Sequence, residues 1–234
     1  MDVKYWLLLL PLVSCLSIAQ NKVFLVTEQL PPLSYVDKQG QVRGDATERV
    51  QQLMLHAGLD YSIEVLPWKR AYKQAESSAN TLIFTILKTP TRSERFDWLC
   101  PLVPPLEVYL YKLKNRHDLA PSSLADAKSS LVGVSRGSVA HSLLLNQGFI
   151  EGKNLMVTTN IDVLTQNLRN GRLDYVLLIN TSVHDTDNIT AALPENFSRD
   201  LPACLAINKQ SDPQIKQRLM ASFTTLSATN FHQP

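Results

Sequence analysis

Among 234 residues there are only three cysteines and eight glycines, and neither charge sign dominates: 23 Lys and Arg stand against 21 Asp and Glu, for a net charge of +2. That near balance excludes the dense basic stripe of a nucleic-acid binder. A zinc site needs more ligands than scattered histidines and distant cysteines can supply, so no metal is expected. Beyond the N-terminus no apolar run approaches the roughly 18–20 residues of a membrane span. Low-complexity segments and short-period repeats are also missing, which excludes solenoid arrays. What remains, with 44% hydrophobic and 19% charged residues, is ordinary globular composition, enough for one large domain or two small ones.

The N-terminus carries a local signal. Lys4 gives a positive start, Tyr5 to Leu12 is almost wholly apolar, and Ser17-Ile18-Ala19 places small residues where a signal peptidase reads. Residues 1–19 are therefore expected to be a signal peptide cleaved before Gln20. A second reading treats Leu12-Val13-Ser14-Cys15 as a lipoprotein box with Cys15 acylated, and a third is a buried N-terminal helix. Export by either of the first two routes leaves Cys100 and Cys204. In an oxidising compartment these two can pair, the alternative being two buried free thiols.

Periodicity gives the organisation. Lys22 to Thr27, Tyr61 to Leu66 and Thr81 to Leu87 read as strands; Ala46 to His56 and Trp68 to Ser77 read as helices, with Gly58 placed as a C-cap. This β-α-β-α-β order implies a parallel sheet covered by helices. After the proline-rich Trp98 to Pro105, a second α/β unit follows. Its strands are Glu107 to Leu113, Ser130 to Val134, Leu155 to Thr159 and Leu173 to Asn180. Its helices are Asp118 to Ala127, Val139 to Gln147 and Val163 to Asn170. A last strand, Cys204 to Asn208, and a helix begun by Ser211-Asp212-Pro213 then return to the first unit.

Four stretches carry a family likeness: Pro31-Pro32-Leu33-Ser34-Tyr35 with Gly40 and Gly44; Leu66-Pro67-Trp68-Lys69-Arg70-Ala71; Thr89-Pro90-Thr91-Arg92 with Phe96-Asp97-Trp98; and Gly133-Val134-Ser135-Arg136-Gly137-Ser138 with Asn170-Gly171-Arg172-Leu173-Asp174. In order and spacing the chain resembles the bacterial family 3 extracellular solute-binding proteins, mostly partners of ABC importers for polar amino acids. The resemblance implies a two-lobed, periplasmic-binding-protein-like (type II) α/β fold, its lobes joined by two hinge strands. Lobe 1 would take residues 20–103 and 204–234, and lobe 2 residues 104–203. A Cys100–Cys204 bridge would then sit at the hinge. It further implies a periplasmic monomer without cofactor or nucleic-acid partner. Such a chain would close on a small carboxylate-bearing molecule, such as an amino acid, and deliver it to an ABC permease or signal its presence.

The same likeness names the binding residues. Arg92 would hold the ligand's carboxylate through its planar fork of donors, the alternative being a surface arginine paired with Glu94. Gly137 and Ser138 would present backbone N–H groups to an anion at a helix start, or Ser138 would simply cap the helix. Tyr35 and Trp68 would flank the ligand from lobe 1, with Thr89 and Asn180 as further contacts and Arg70 in solvent. The position where relatives place an acid for the ligand's amine is Ile179, and Leu87 replaces a common threonine. An ordinary α-amino acid is thereby a less secure ligand than a carboxylate without a close amine. Losing Arg92 is expected to abolish binding and leave ligand-free melting unchanged.

Two enzyme readings compete. Gly133-Val134-Ser135-Arg136-Gly137 matches the G-x-S-x-G nucleophile elbow, with Asp162, Asp174, His184 and His232 downstream, so Ser135 could serve a serine hydrolase. No HGGG-type oxyanion segment precedes it. A dehydratase of cyclic acids would need a positioned acid or base, for which Glu48 is the available residue.

Overall fold

The computed structural model describes residues 22–183 and 188–229. The signal-peptide reading, Cys15, His184 and His232 fall outside these residues.

Two five-stranded sheets organise the chain. Strand β1 (Lys22–Thr27) leads through a small hairpin, β2 (Tyr35–Val36) and β3 (Val42–Arg43), into helix α1 (Asp45–Ala57). Then come β4 (Asp60–Val65), α2 (Trp68–Ser77), β5 (Thr81–Leu87), the one-turn α3 (Pro90–Ser93) and β6 (Phe96–Leu99). The second unit holds β7 (Val108–Leu113), β8 (Val132–Ser135), α4 (Val139–Asn146), β9 (Leu155–Thr158), α5 (Ile161–Arg169), β10 (Tyr175–Ile179) and β11 (Ile189–Ala191). Finally β12 (Ala203–Asn208) returns to the first sheet and α6 (Pro213–Thr229) packs on α1.

The strand orders are β4-β1-β5-β12-β6 and β9-β8-β10-β7-β11. In each sheet three parallel strands are followed by one antiparallel strand adjoining an inter-unit connection and one antiparallel edge strand. The two halves thus share one topology. Their burial explains why. β5, the middle strand of the first sheet, is buried at all seven positions, as a strand covered on both faces must be. On α1, Ala46, Val50, Leu53, Met54 and Ala57 recur on one face and are buried.

Two segments connect the sheets, between β6 and β7 and between β11 and β12. They are tied to each other: Leu102 N–H donates to Ala203 O at 2.8 Å, Ser198 Oγ donates to Leu106 O at 2.6 Å, and Val108 N–H donates to Ser198 Oγ at 3.0 Å. Cys100 and Cys204 are disulfide-bonded at this place, with their Cα atoms 4.6 Å apart. At the start of α1, Gly44 has φ 117°, and a Cβ there would lie 2.4 Å from Leu33 O. Only glycine lets the helix begin against the Pro31–Ser34 loop.

Among the departures from the sequence reading are the following. Asp118 to Ala127 is not a helix; only a 3₁₀ turn, Asp126–Ser129, forms. Pro121 interrupts the segment, and the Asp126 carboxylate accepts from the Ser122 and Ser123 amides instead, a local turn that competes with helix. β6 and β11 are strands that the periodicity does not show. Each is an edge strand of four or three residues, too short for an alternation to register.

Candidate ligand-binding cleft

A cavity of about 50 Å³ lies between the two units, at the C-terminal ends of the parallel strands of both sheets. Open α/β sheets place ligands at such strand ends. From the first unit it is lined by Glu28, Trp68, Thr85, Leu87 and Arg92; from the second by Ser135, Ser138, Val139, Ala140, Ile161, Ile179 and Ser182 among others. It adjoins an outer groove of about 470 Å³, the two sharing Glu28, Trp68, Ile161 and Ser182.

Arg92 is positioned by the short helix α3, whose first residue, Pro90, presets the backbone. Arg92 as a whole is 8% exposed. Its guanidinium lies 5.0 Å from the centre of the Trp68 ring and 5.3 Å from that of Tyr72, so two aromatic faces support the cation. Nη1 donates to Leu87 O at 3.1 Å and Nη2 to Gly137 O, across the cleft, at 3.2 Å. A guanidinium has five N–H donors, so these two bonds leave donors for a ligand. Burial lowers the Arg92 pKa from its usual value.

Glu28, immediately after β1, is the counter-charge that sequence reasoning missed. Desolvation pushes its carboxyl up to about 7, against the attraction of Arg92. Thr85 is the second omission. The pairing of β5 with β12 slips between Cys204 and Leu205, so that Cys204 faces Ile86 and Leu205 faces Phe84. Thr85 is the extra residue of this bulge, with φ 64°. A β-branched residue rarely adopts that conformation, and such strain gathers at functional sites. Thr85 lines the cavity, and its buried Oγ1 has no hydrogen-bond partner. The Ser182 hydroxyl on the opposite wall is likewise buried and unpartnered. Orphaned hydroxyls facing one space mark where a ligand's polar groups would go.

The facing wall is the start of α4. Ser138 is its N-cap, accepting from His141 N–H at 3.1 Å through Oγ. Gly137 N–H donates to His141 Nδ1 at 3.1 Å, and Ser138 N–H to Ser135 O at 3.2 Å. The Gly137 and Ser138 amides are therefore engaged within the turn rather than presented to an anion. The next two amides, of Val139 and Ala140, carry no hydrogen bond among the described residues, and both residues line the cavity. A helix leaves its first amides unpaired, and here two of them belong to residues that line the same cavity as Arg92.

No family model matches the chain. The L-cystine-binding protein TcyJ of Escherichia coli (strain K12) is 24% identical over 191 residues, 80% of this chain and 70% of that protein. Among solved structures, an ancestral arginine-binding protein bound to arginine has a TM-score of 0.77 at 18% identity, covering 89% of this chain and 93% of the other. The amino acid ABC transporter substrate-binding protein AbpA from Streptococcus pneumoniae has a TM-score of 0.73 at 19% identity, over 89% and 90% of the two chains. The chain has the two-lobed fold of these solute-binding proteins. A histidine kinase sensor domain with similarity to periplasmic binding proteins shares the fold, with a TM-score of 0.75 at 16% identity over 90% and 92%.

Of the residues singled out in the sequence, Arg92, Trp68 and Ser138 line the cavity between the lobes, and Gly137 reaches it through the bonds its carbonyl accepts. Tyr35, Thr89 and Asn180 are not among the lining residues. Tyr35 belongs to the β2–β3 hairpin, Thr89 Oγ1 pairs with Thr91 Oγ1 at 3.0 Å, and Asn180 Oδ1 accepts from Thr181 N–H at 2.9 Å. Arg70 is exposed. The nucleophile-elbow reading finds no support. Both ring nitrogens of His141 are taken, by Gly137 and by Glu151, and Asp174 is bonded to Arg116 and to Leu131 N–H. Among the described residues no hydrogen bond joins Ser135 to a histidine, and His184 and His232 lie outside them. Glu48, the dehydratase alternative, is exposed on α1 and does not line this cavity.

Proposed function

We propose that the chain is an extracytoplasmic solute-binding protein that traps a small carboxylate-bearing ligand between its lobes, without catalysis, for an ABC-type permease. One observation carries this reading: a buried guanidinium from lobe 1 and two unpaired helix amides from lobe 2 border the same cavity. Arg92 and the Val139 and Ala140 amides would share the carboxylate, with Thr85 and Ser182 hydroxyls taking further polar atoms. A ligand that touches both walls favours the closed state, whereas one that meets a single lobe shifts nothing. Glu28 alters the ligand expectation. Although Ile179 removes the acid from lobe 2, lobe 1 supplies one beside the guanidinium, so an ammonium on the ligand has a partner after all. The amino-acid binding recorded for the relatives fits this reading.

Isothermal titration of the chain against amino acids, their dimers and deaminated carboxylates tests it. Binding by at least one carboxylate, lost in the Arg92→Leu variant, is the expected result. Equal binding by that variant would remove the assignment. The sensor-domain likeness raises a second reading, in which closure signals to a membrane partner; ligand uptake that survives deletion of the chain favours it over import.

A further inference from the structure

Gly137 carbonyl oxygen accepts two hydrogen bonds from the opposite lobe, from Trp68 Nε1 at 2.8 Å and from Arg92 Nη2 at 3.2 Å. Both lone pairs of one oxygen are thus filled across the cleft, by bonds that run directly from one lobe to the other. What aims that oxygen lies entirely in lobe 2. Gly137 has φ 75°, a conformation most side chains avoid. The peptide between Gly137 and Ser138 is fixed by its N–H, which bonds inward to Ser135 O. In a trans peptide the carbonyl points the opposite way, here toward lobe 1. The preceding peptide is fixed by Gly137 N–H donating to His141 Nδ1 at 3.1 Å.

His141 is itself held. A backbone N–H cannot accept, so Nδ1 carries no proton and the ring proton sits on Nε2, 3.0 Å from Glu151 Oε1. Arg136 holds Glu151 in turn, at 3.3 Å. The ring is 8% exposed. A chain of contacts therefore runs from Arg136 and Glu151 through His141 and Gly137 to Arg92 and Trp68.

We propose that His141 is the positioning residue of an inter-lobe latch. By accepting the Gly137 amide it holds the peptide before Gly137 and, together with the Ser138–Ser135 bond that fixes the following peptide, keeps the Gly137 carbonyl facing Arg92 and Trp68, so that the two lobes are tied directly to each other and Arg92 is oriented in the cleft. His141 touches no ligand in this role; it acts through the peptide it pins. The consequence for binding rests on the solute-binding reading, but both latch bonds join protein to protein and are tested without added ligand.

Two polar variants separate the ring's two contacts. His141→Asn keeps an acceptor near the Nδ1 position and loses the Glu151 bond; His141→Gln keeps a donor near Nε2 and loses the Gly137 acceptor. The readouts are hydrogen exchange of the Trp68 indole N–H by NMR, assigned with Trp68→Phe, and the radius of gyration from small-angle scattering. The parent and His141→Asn are expected to show a protected indole and a compact particle. His141→Gln is expected to exchange faster, on the order of tenfold for the loss of two such bonds, and to expand. An unprotected Trp68 indole in the ligand-free parent would overturn the latch, and so would equal protection in both variants. If His141→Asn opened the cleft while His141→Gln did not, the acceptor role of Nδ1 would be refuted and the Glu151 contact favoured in its place.

Discussion

The two lobes have the same strand order and reach the same cavity from opposite sides, yet they bring different chemistry to it. Lobe 1 supplies the ionisable groups, Arg92 and Glu28, with Trp68 and Tyr72 against the guanidinium. Lobe 2 supplies backbone amides, the Ser138 and Ser182 hydroxyls, and the apolar side chains of Ile161, Leu177 and Ile179. Shared topology gives both lobes strand ends that can hold a ligand, while the residues at those ends divide the work. On the proposed reading, the charged lobe would select the ligand's ionic groups, and the neutral lobe would complete its hydrogen bonds and shape.

Substitution on each side sharpens that contrast. The largest effect is expected from Arg92→Leu. Titration should show binding weakened by about 2–5 kcal/mol, the cost of losing a charged, hydrogen-bonded contact. Ligand-free melting should also fall, contrary to the sequence-based expectation, because Leu87 O and Gly137 O lose buried partners at about 1–3 kcal/mol each. Binding unchanged beside lowered melting would assign Arg92 to structure alone.

The counterpart in lobe 2 is Val139→Pro. Proline fits the first position of a helix, and Ser138 already has the extended ψ of 169° that a following proline requires. The change deletes one unpaired amide and replaces a branched apolar side chain of the cavity wall by a ring of similar size. Carboxylate binding is expected to weaken by about 1.5–3 kcal/mol, with ligand-free melting unaltered. If affinity stays the same, lobe 2 contributes shape without amides.

Glu28→Gln probes the other charge of lobe 1. Because the folded-state pKa is raised to about 7 from 4.5, the folded chain holds the proton that the unfolded chain releases between those values. Stability therefore falls as pH rises across that window and is level on either side. Glutamine removes this dependence. Melting at pH 8 should show a gain of about 1–2 kcal/mol for the variant, and melting at pH 4 should show none. A ligand bearing an ammonium should also bind the parent more tightly above pH 7 than below it.

The smallest effect is expected at Thr85. Thr85→Gly relieves the positive φ and removes an orphaned hydroxyl, so ligand-free stability should rise by about 1 kcal/mol while affinity falls. A rise in both would mean that the bulge serves the sheet and not the ligand.

Much of the fold was legible from periodicity alone. The buried run of β5, the one-sided pattern of α1 and the Gly58 C-cap each have a short-range cause that one segment contains. The short edge strands β6 and β11 escaped because their pairing partner, not their own pattern, makes them strands. In the site, Arg92 was legible as a bidentate donor within a Thr-Pro-x-Arg stretch. Glu28 was not, since a lone acid after a strand looks like any solvated residue until the second lobe covers it. Thr85 was hidden by its setting, a threonine in a run that reads as plain buried strand.

By itself the sequence determined the α/β alternation, the two-unit order and the residue types available to a cleft, because helix and strand patterning act over a few residues. Tertiary structure alone decided which of those residues meet. Bulge placement, desolvation of Glu28, the tautomer of His141 and the pairing of Arg92 with the Gly137 carbonyl all depend on atoms brought together from segments distant in the chain. No local pattern encodes such contacts, since each needs segments far apart in the chain to meet, within one lobe for the bulge and the His141 contacts and across the cleft for Arg92 and Gly137.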